Sequence, residues 1–194
     1  MVCSRIQGCE GSNTMTTATT TTWNIDPAHS AAEFKVKHMM ISNVKGKFSG
    51  LTGALTLDET NPANSSVEAT IPLETLSTGD AQRDGHLKSA DFFDAEKFPV
   101  FTFKSTAVEV TAPGELAVTG DLTLHGVTKA VTFAVEGPSE PGKDPWGNLR
   151  VGLSATTKIN RKDFGLGWNA ALETGGVLVG EDVTISLDVQ FIKG

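Results

Sequence analysis

From Trp23 onward apolar and polar residues alternate with a period of two, the spacing that sends successive side chains to opposite faces of a strand. Phe34, Val36, His38 and Met40 fall on one face, and Glu33, Lys35 and Lys37 on the other. Leu51, Leu55 and Leu57 continue the rule, and Val67, Ala69, Ile71 and Leu73 alternate with Glu68 and Thr70. Phe101 and Phe103 are set against Val100, Thr102 and Lys104, then Leu116, Val118, Leu122 and Leu124 against Thr119, Asp121 and Thr123. Val131, Phe133 and Val135 form the next set, Val151, Leu153 and Ala155 another, and Val183, Ile185, Leu187, Val189 and Phe191 the last. Asn61-Pro62, Pro113-Gly114 and the stretch 137–147 separate the runs with Gly and Pro, which permit or preset unusual φ.

One segment departs from the alternation. Between Thr78 and Phe98, Ser77, Thr78 or Asp80 can cap a short helix that runs to about Ala90, and Pro99 stops it. Residues 1–22 are polar and end in a Thr-rich run with nothing to bury, so a disordered tail is expected there and one domain over 23–194. About eight one-sided strands in succession predict an all-β, antiparallel meander. No long amphipathic helix is available to cover the apolar faces, so the sheet must cover itself as a two-layer sandwich or a closed barrel. Periodicity alone leaves both open.

Composition narrows the partners. A chain of 194 residues with 39% hydrophobic content supports one core, and its aromatic side chains are mainly Phe. The formal net charge of −7 opposes phosphate groups, which argues against nucleic acid and anionic membrane surfaces as partners. No run approaches the ~20 apolar residues of a membrane span, so stable membrane insertion is not expected. Cys3 and Cys9 both lie in the tail, leaving the domain without a disulfide framework or metal-binding thiols. The first residues lack the apolar core of a signal peptide, from which a cytoplasmic location is expected. The pattern does not decide between a monomer and a homodimer.

The candidate chemistry is sparse. His29, His38, His86 and His125 show no ligand spacing, so no metal and no cofactor are expected. His29-Ser30 with Asp26 or Asp84 lacks the context that orients a nucleophile, and Asp163-Phe164-Gly165 stands without the other kinase words, so no catalytic residue is assigned. His38 shares the apolar face of Phe34 and Val36, where it either finds a core partner or lines a cavity. Arg83, Asp84 and Lys88 read either as a solvated helix face or as a cationic site for a polar head group.

Several local words, taken in order, carry a family resemblance. Asp26-Pro27-Ala28-His29-Ser30 is followed by Phe34-Lys35-Val36-Lys37-His38 and Val44-Lys45-Gly46-Lys47-Phe48. Arg83-Asp84-Gly85-His86-Leu87-Lys88-Ser89-Ala90-Asp91-Phe92-Phe93-Asp94 precedes Phe98-Pro99 and Phe101-Thr102-Phe103-Lys104-Ser105. Gly120-Asp121-Leu122-Thr123-Leu124-His125-Gly126 and Ile159-Asn160-Arg161-Lys162-Asp163-Phe164-Gly165 complete the set. From about Trp23 to Lys193 the chain resembles the YceI-like, polyisoprenoid-binding family.

The resemblance implies an up-and-down, lipocalin-like barrel of eight antiparallel strands, with a helical segment at the mouth of an elongated apolar tunnel. The ligand it implies is a long-chain amphiphile such as a polyisoprenoid, an isoprenoid quinone or a fatty lipid, sequestered or carried without catalysis. Phe34, Val36, His38, Leu55, Ile71, Phe101 and Phe103 are then expected to meet the ligand, and Arg83 and His86 its polar end. An enzyme acting on such a lipid and a filled barrel without ligand are the alternatives.

Overall fold

The computed structural model describes residues 20–172 and 176–194. Its strands are β1 (Thr20–Ile25), β2 (Ala31–His38), β3 (Ser42–Phe48), β4 (Thr52–Asp58), β5 (Ser66–Pro72), β6 (Val100–Ala112), β7 (Glu115–Leu124), β8 (Val127–Glu136), β9 (Gly142–Lys143), β10 (Leu149–Asn160) and β11 (Val179–Lys193). Among the described residues the one α-helix, α1 (Ala81–Lys88), lies between β5 and β6. The Asp80 carboxylate caps it by accepting from the Arg83 backbone N–H at 3.0 Å. It ends at Lys88, two residues short of Ala90, where Ser89 turns extended and its N–H and hydroxyl both donate to the His86 carbonyl.

Every strand pairing is antiparallel, and one sheet closes on itself through β1, β4, β5, β6, β7, β8, β10 and β11. The outcome is an eight-stranded barrel, not a sandwich. Closure falls to β11, which pairs β10 along one edge from Arg150↔Ile192 to Asn160↔Asp182. Its other edge is shared: β1 takes Phe191 to Lys193, and β2 takes Val179 to Asp188. Asp26 marks the break between β1 and β2, and its N–H still donates to the Gln190 carbonyl at 2.8 Å. β3 extends this arm as a hairpin with β2.

The alternation read from the sequence sorts the faces. On β8, Val131, Phe133 and Val135 are buried while Thr132, Ala134 and Glu136 are exposed. Each such fully buried side chain stabilises the fold by about 1.5–3 kcal/mol. Two assignments shift. Leu73, expected on a strand, sits in a tight turn after β5 and is completely buried. Met40, expected beside Phe34, lies beyond the end of β2, where Met39 (φ 50°) and Met40 (φ 60°) form a left-handed turn. A left-handed residue with a Cβ costs roughly 1–2 kcal/mol, so this turn opposes its own residues.

β1 starts at Thr20, three residues before the apolar alternation begins. Thr20, Thr21 and Thr22 pair with Asp58, Leu57 and Thr56, and the Thr22 carbonyl accepts from the Gly194 N–H at 3.0 Å. Of the expected tail, residues 1–19 lie outside the described residues. A chain that begins at Trp23 should melt roughly 5 °C below one that begins at Thr20, since it forfeits these pairings. Equal melting temperatures in a calorimetric comparison would exclude that contribution.

Candidate functional site

The inward side chains do not fill the barrel. They enclose a cavity of about 640 Å³, within the range of about 300–1,000 Å³ typical of small-molecule sites. Phe34 and Val36 of β2, Leu55 of β4, Ile71 of β5, and Phe101 and Phe103 of β6 all line it, as the alternation predicts. Phenylalanines form a continuous wall, with ring centroids 5.8 Å apart for Phe34–Phe48, 5.5 Å for Phe48–Phe101 and 5.3 Å for Phe93–Phe101. Two glycines make room for it. A Cβ on Gly46 would stand 2.3 Å from the Phe34 ring, and one on Gly120 would stand 2.5 Å from the Phe103 ring and from the Lys104 carbonyl.

The antiparallel registers place the loops at two ends. At the helix end, Leu87, Phe92, Phe93 and the buried Leu166 cover the cavity. The opposite end carries the turns between β4 and β5, β6 and β7, and β8 and β9. There the wall includes the solvent-exposed residues Glu59, Ser66, Val110, Gly114, Ser139 and Glu140. Apart from Glu33 and Pro141, the latter at this same end, they are all the exposed residues in the wall, so the cavity opens here, away from α1.

Three residues of the expected site stand outside the cavity wall. His38 ends β2 beyond Val36, the last residue of that strand to reach the cavity. Arg83 is turned back onto its own helix entrance, its Nε donating to Thr78 Oγ1 at 2.8 Å and its Nη2 to the Thr78 carbonyl at 3.0 Å. His86 packs edge-on against Phe92 and Trp168, with Nε2 3.3 Å from an Asp91 carboxylate oxygen, outside the wall. His29 and His125 are likewise outside it, the first bonded to Asp26 at 2.8 Å and the second to the Phe164 carbonyl at 3.2 Å. Among the described residues no cluster of His, Cys, Asp or Glu is arranged to hold a metal ion.

Comparison with known proteins bears on this architecture directly. Residues 23–191 match the model of the YceI-like domain. The chain belongs to the YceI-like family. A UPF0312 protein of Vibrio cholerae is 44% identical over 139 residues, covering 72% of this chain and 73% of the relative. Among solved structures, the Campylobacter jejuni YceI protein matches with a TM-score of 0.68 at 30% identity, over 82% of this chain and 91% of that one. A polyisoprenoid binding domain from Saccharophagus degradans, implicated in plant cell wall breakdown, matches at 17% identity with a TM-score of 0.64, over 89% of this chain and 98% of that one.

This YceI-like barrel is braced by polar groups that the hydrophobic alternation does not announce. Arg161 is 4% exposed and lines the helix end of the cavity, where its guanidinium donates to the carbonyls of Gly180 (2.9 Å), Leu166 (2.5 Å) and Trp168 (2.8 Å), pinning the loop before β11. Arg150 on β10 reaches across β11 to the Asp26 carboxylate, and its Nε donates to Asp144 at 2.8 Å. Asp58, 1% exposed, accepts from the Thr60 N–H and hydroxyl, the Asn61 N–H and the Asn64 amide, holding the turn that carries Glu59 at the open end.

These bonds favour the ionised carboxylates. The Thr60 hydroxyl, then the Asn64 amide and the Asn61 N–H, lower the Asp58 pKa to about 2. Arg150, then His29, lower that of Asp26 to about 2. A depressed carboxylate contributes stability above its unfolded pKa near 3.8 and loses it as pH falls toward 2. Asp58→Asn and Asp26→Asn should therefore melt below the parent at pH 7, with the gap closing between pH 4 and pH 2. A gap that stays constant across that window would contradict the assignment.

Proposed function

We propose that this barrel takes up one long-chain apolar amphiphile, of isoprenoid or fatty type, and sequesters or carries it without chemistry. The observation that supports the reading is the cavity itself, about 640 Å³ of space walled by Phe, Leu, Val and Ile from all around the ring. A filled structural barrel has no such space. Burial contributes ~0.8 kcal/mol per methylene, so chain length dominates affinity. The likeness to the polyisoprenoid binding domain of Saccharophagus degradans agrees with an apolar chain as ligand.

Catalysis on the ligand would need titratable groups converging on one point. The ionisable side chains in the wall are instead dispersed, with Glu59 and Glu140 at the open end and Arg161 at the helix end, while the side chain of Glu33 lies on the exposed face of β2. Glu59 and Glu140, with the hydroxyls of Ser65, Ser66 and Ser139, meet whatever polar end the chain leaves at the opening. Acceptors and carboxylates there favour an uncharged, hydrogen-bonding head such as a hydroxyl over a phosphate.

Val36→Trp and Ile71→Trp place bulk inside the cavity. Each should weaken uptake of a fluorescent polyprenyl probe at least tenfold with the β-type circular dichroism retained, while Lys129→Ala on the exposed face of β8 should stay within twofold of the parent. Unchanged uptake in both Trp variants would mean that the chain does not enter the barrel.

A further inference from the structure

The β2–β3 hairpin carries two features that work against its own folding. Its turn is Met39-Met40, both left-handed, where the two-residue turn between β7 and β8 has a glycine, Gly126, beside His125. Asn-Gly is the pair that left-handed hairpin turns prefer. On the outer face, Lys35 stands directly opposite Lys45, a like-charge pair across the ladder. Folding explains neither choice.

Both become intelligible as a surface. Met39, Met40 and Ile41 are 41%, 60% and 80% exposed, a contiguous apolar tip that projects from the helix end. Behind it Lys35, Lys37, Lys45 and Lys47 are all exposed, and none forms an ion pair among the described residues. Between Ala31 and Phe48 the one carboxylate is Glu33, opposite Lys47. The acidic groups nearest on β11 are engaged elsewhere, Glu181 by Lys162 and Asp182 by Lys158. Lysines on an edge strand also discourage pairing with other chains, but an apolar tip of three residues would undo that protection.

We propose that this hairpin docks the protein on an anionic lipid surface, with Met39, Met40 and Ile41 entering the interface and the four lysines meeting the phosphates. The net charge of −7 pointed away from such a surface. Screening limits that repulsion to about 8–10 Å at physiological ionic strength, so the lysines next to the tip set the field it meets. Each lysine held at an anionic surface strengthens binding about fivefold, and a short apolar wedge adds to this without crossing the bilayer. The open end of the cavity lies at the opposite end of the barrel, so a docked molecule keeps it facing water.

The full chain, incubated with vesicles of phosphatidylcholine alone or mixed with phosphatidylserine, should float with the anionic vesicles at least ten times more tightly than with the neutral ones, and salt should release it. Met39→Asn combined with Met40→Gly supplies the turn residues the backbone prefers. It should melt at or above the parent and still lose vesicle binding at least tenfold, as should Lys35→Glu combined with Lys45→Glu. A parent that ignores anionic vesicles, or a turn variant that binds them like the parent, overturns the proposal. So does a parent that dimerises through this tip without binding vesicles, which would make a second copy the occupant. Probe uptake into the cavity, measured on the same variants, should equal the parent's, so the fate of the docking surface is read separately from that of the cavity.

Discussion

Closure of the sheet by β11 is the constraint on which the remaining structure depends. A strand in the middle of a sheet must find partners for the backbone groups of both edges. β11 does so against β10 on one side and against β1 and β2 in turn on the other. That division forces the break at Asp26, which frees β2 to leave the ring and form the hairpin with β3. Closing eight strands sets a circumference at which inward side chains either fill the interior or leave room for one slender ligand. Here they leave about 640 Å³, and the Phe-rich alternation determines what that space can hold.

A barrel with an open interior gives up the contacts that a packed core would make across its centre. Its polar braces sit where compensation is needed. Asp58 holds one turn of the open end, and Arg150 ties Asp26 to Asp144 across the closing strand. Arg161 gathers the carbonyls of the loop that leads into β11. Asp26, Asp58 and Arg161 are buried yet hydrogen-bonded, and Arg150 is half-buried between two carboxylates, so the charge contributes geometry at the ends while the walls stay apolar. The Asp-Pro-Ala-His and Asn-Arg-Lys-Asp words of the sequence supply these braces.

How much of this could be read from the chain depends on range. Period two located the strands and the cavity-facing positions Phe34, Val36, Leu55, Ile71, Phe101 and Phe103, because side-chain direction along a strand is a local property. For the same reason the sequence offers Asp80 as one of three caps, beside Ser77 and Thr78, and the structure uses Asp80. Thr20–Thr22 were not, since three threonines have no apolar alternation, and only pairing with β4 makes them a strand. The partnership of Arg150 with Asp26 spans 124 positions and leaves no local trace. The surroundings of Arg83 and His86 were not legible, because their contacts with Thr78, Phe92 and Trp168, at the end away from the cavity opening, depend on the folded loops.

The unfilled interior also gives the molecule a volume signature. Unfolding under hydrostatic pressure is driven by the internal voids that disappear when the chain opens. The space of about 640 Å³ inside this barrel opens at one end, so only the part of it that water does not reach adds to that volume change. An acyl or prenyl chain seated along the wall would remove part of that void and stiffen the molecule, so loaded and unloaded forms would differ in compressibility even where their backbones superimpose.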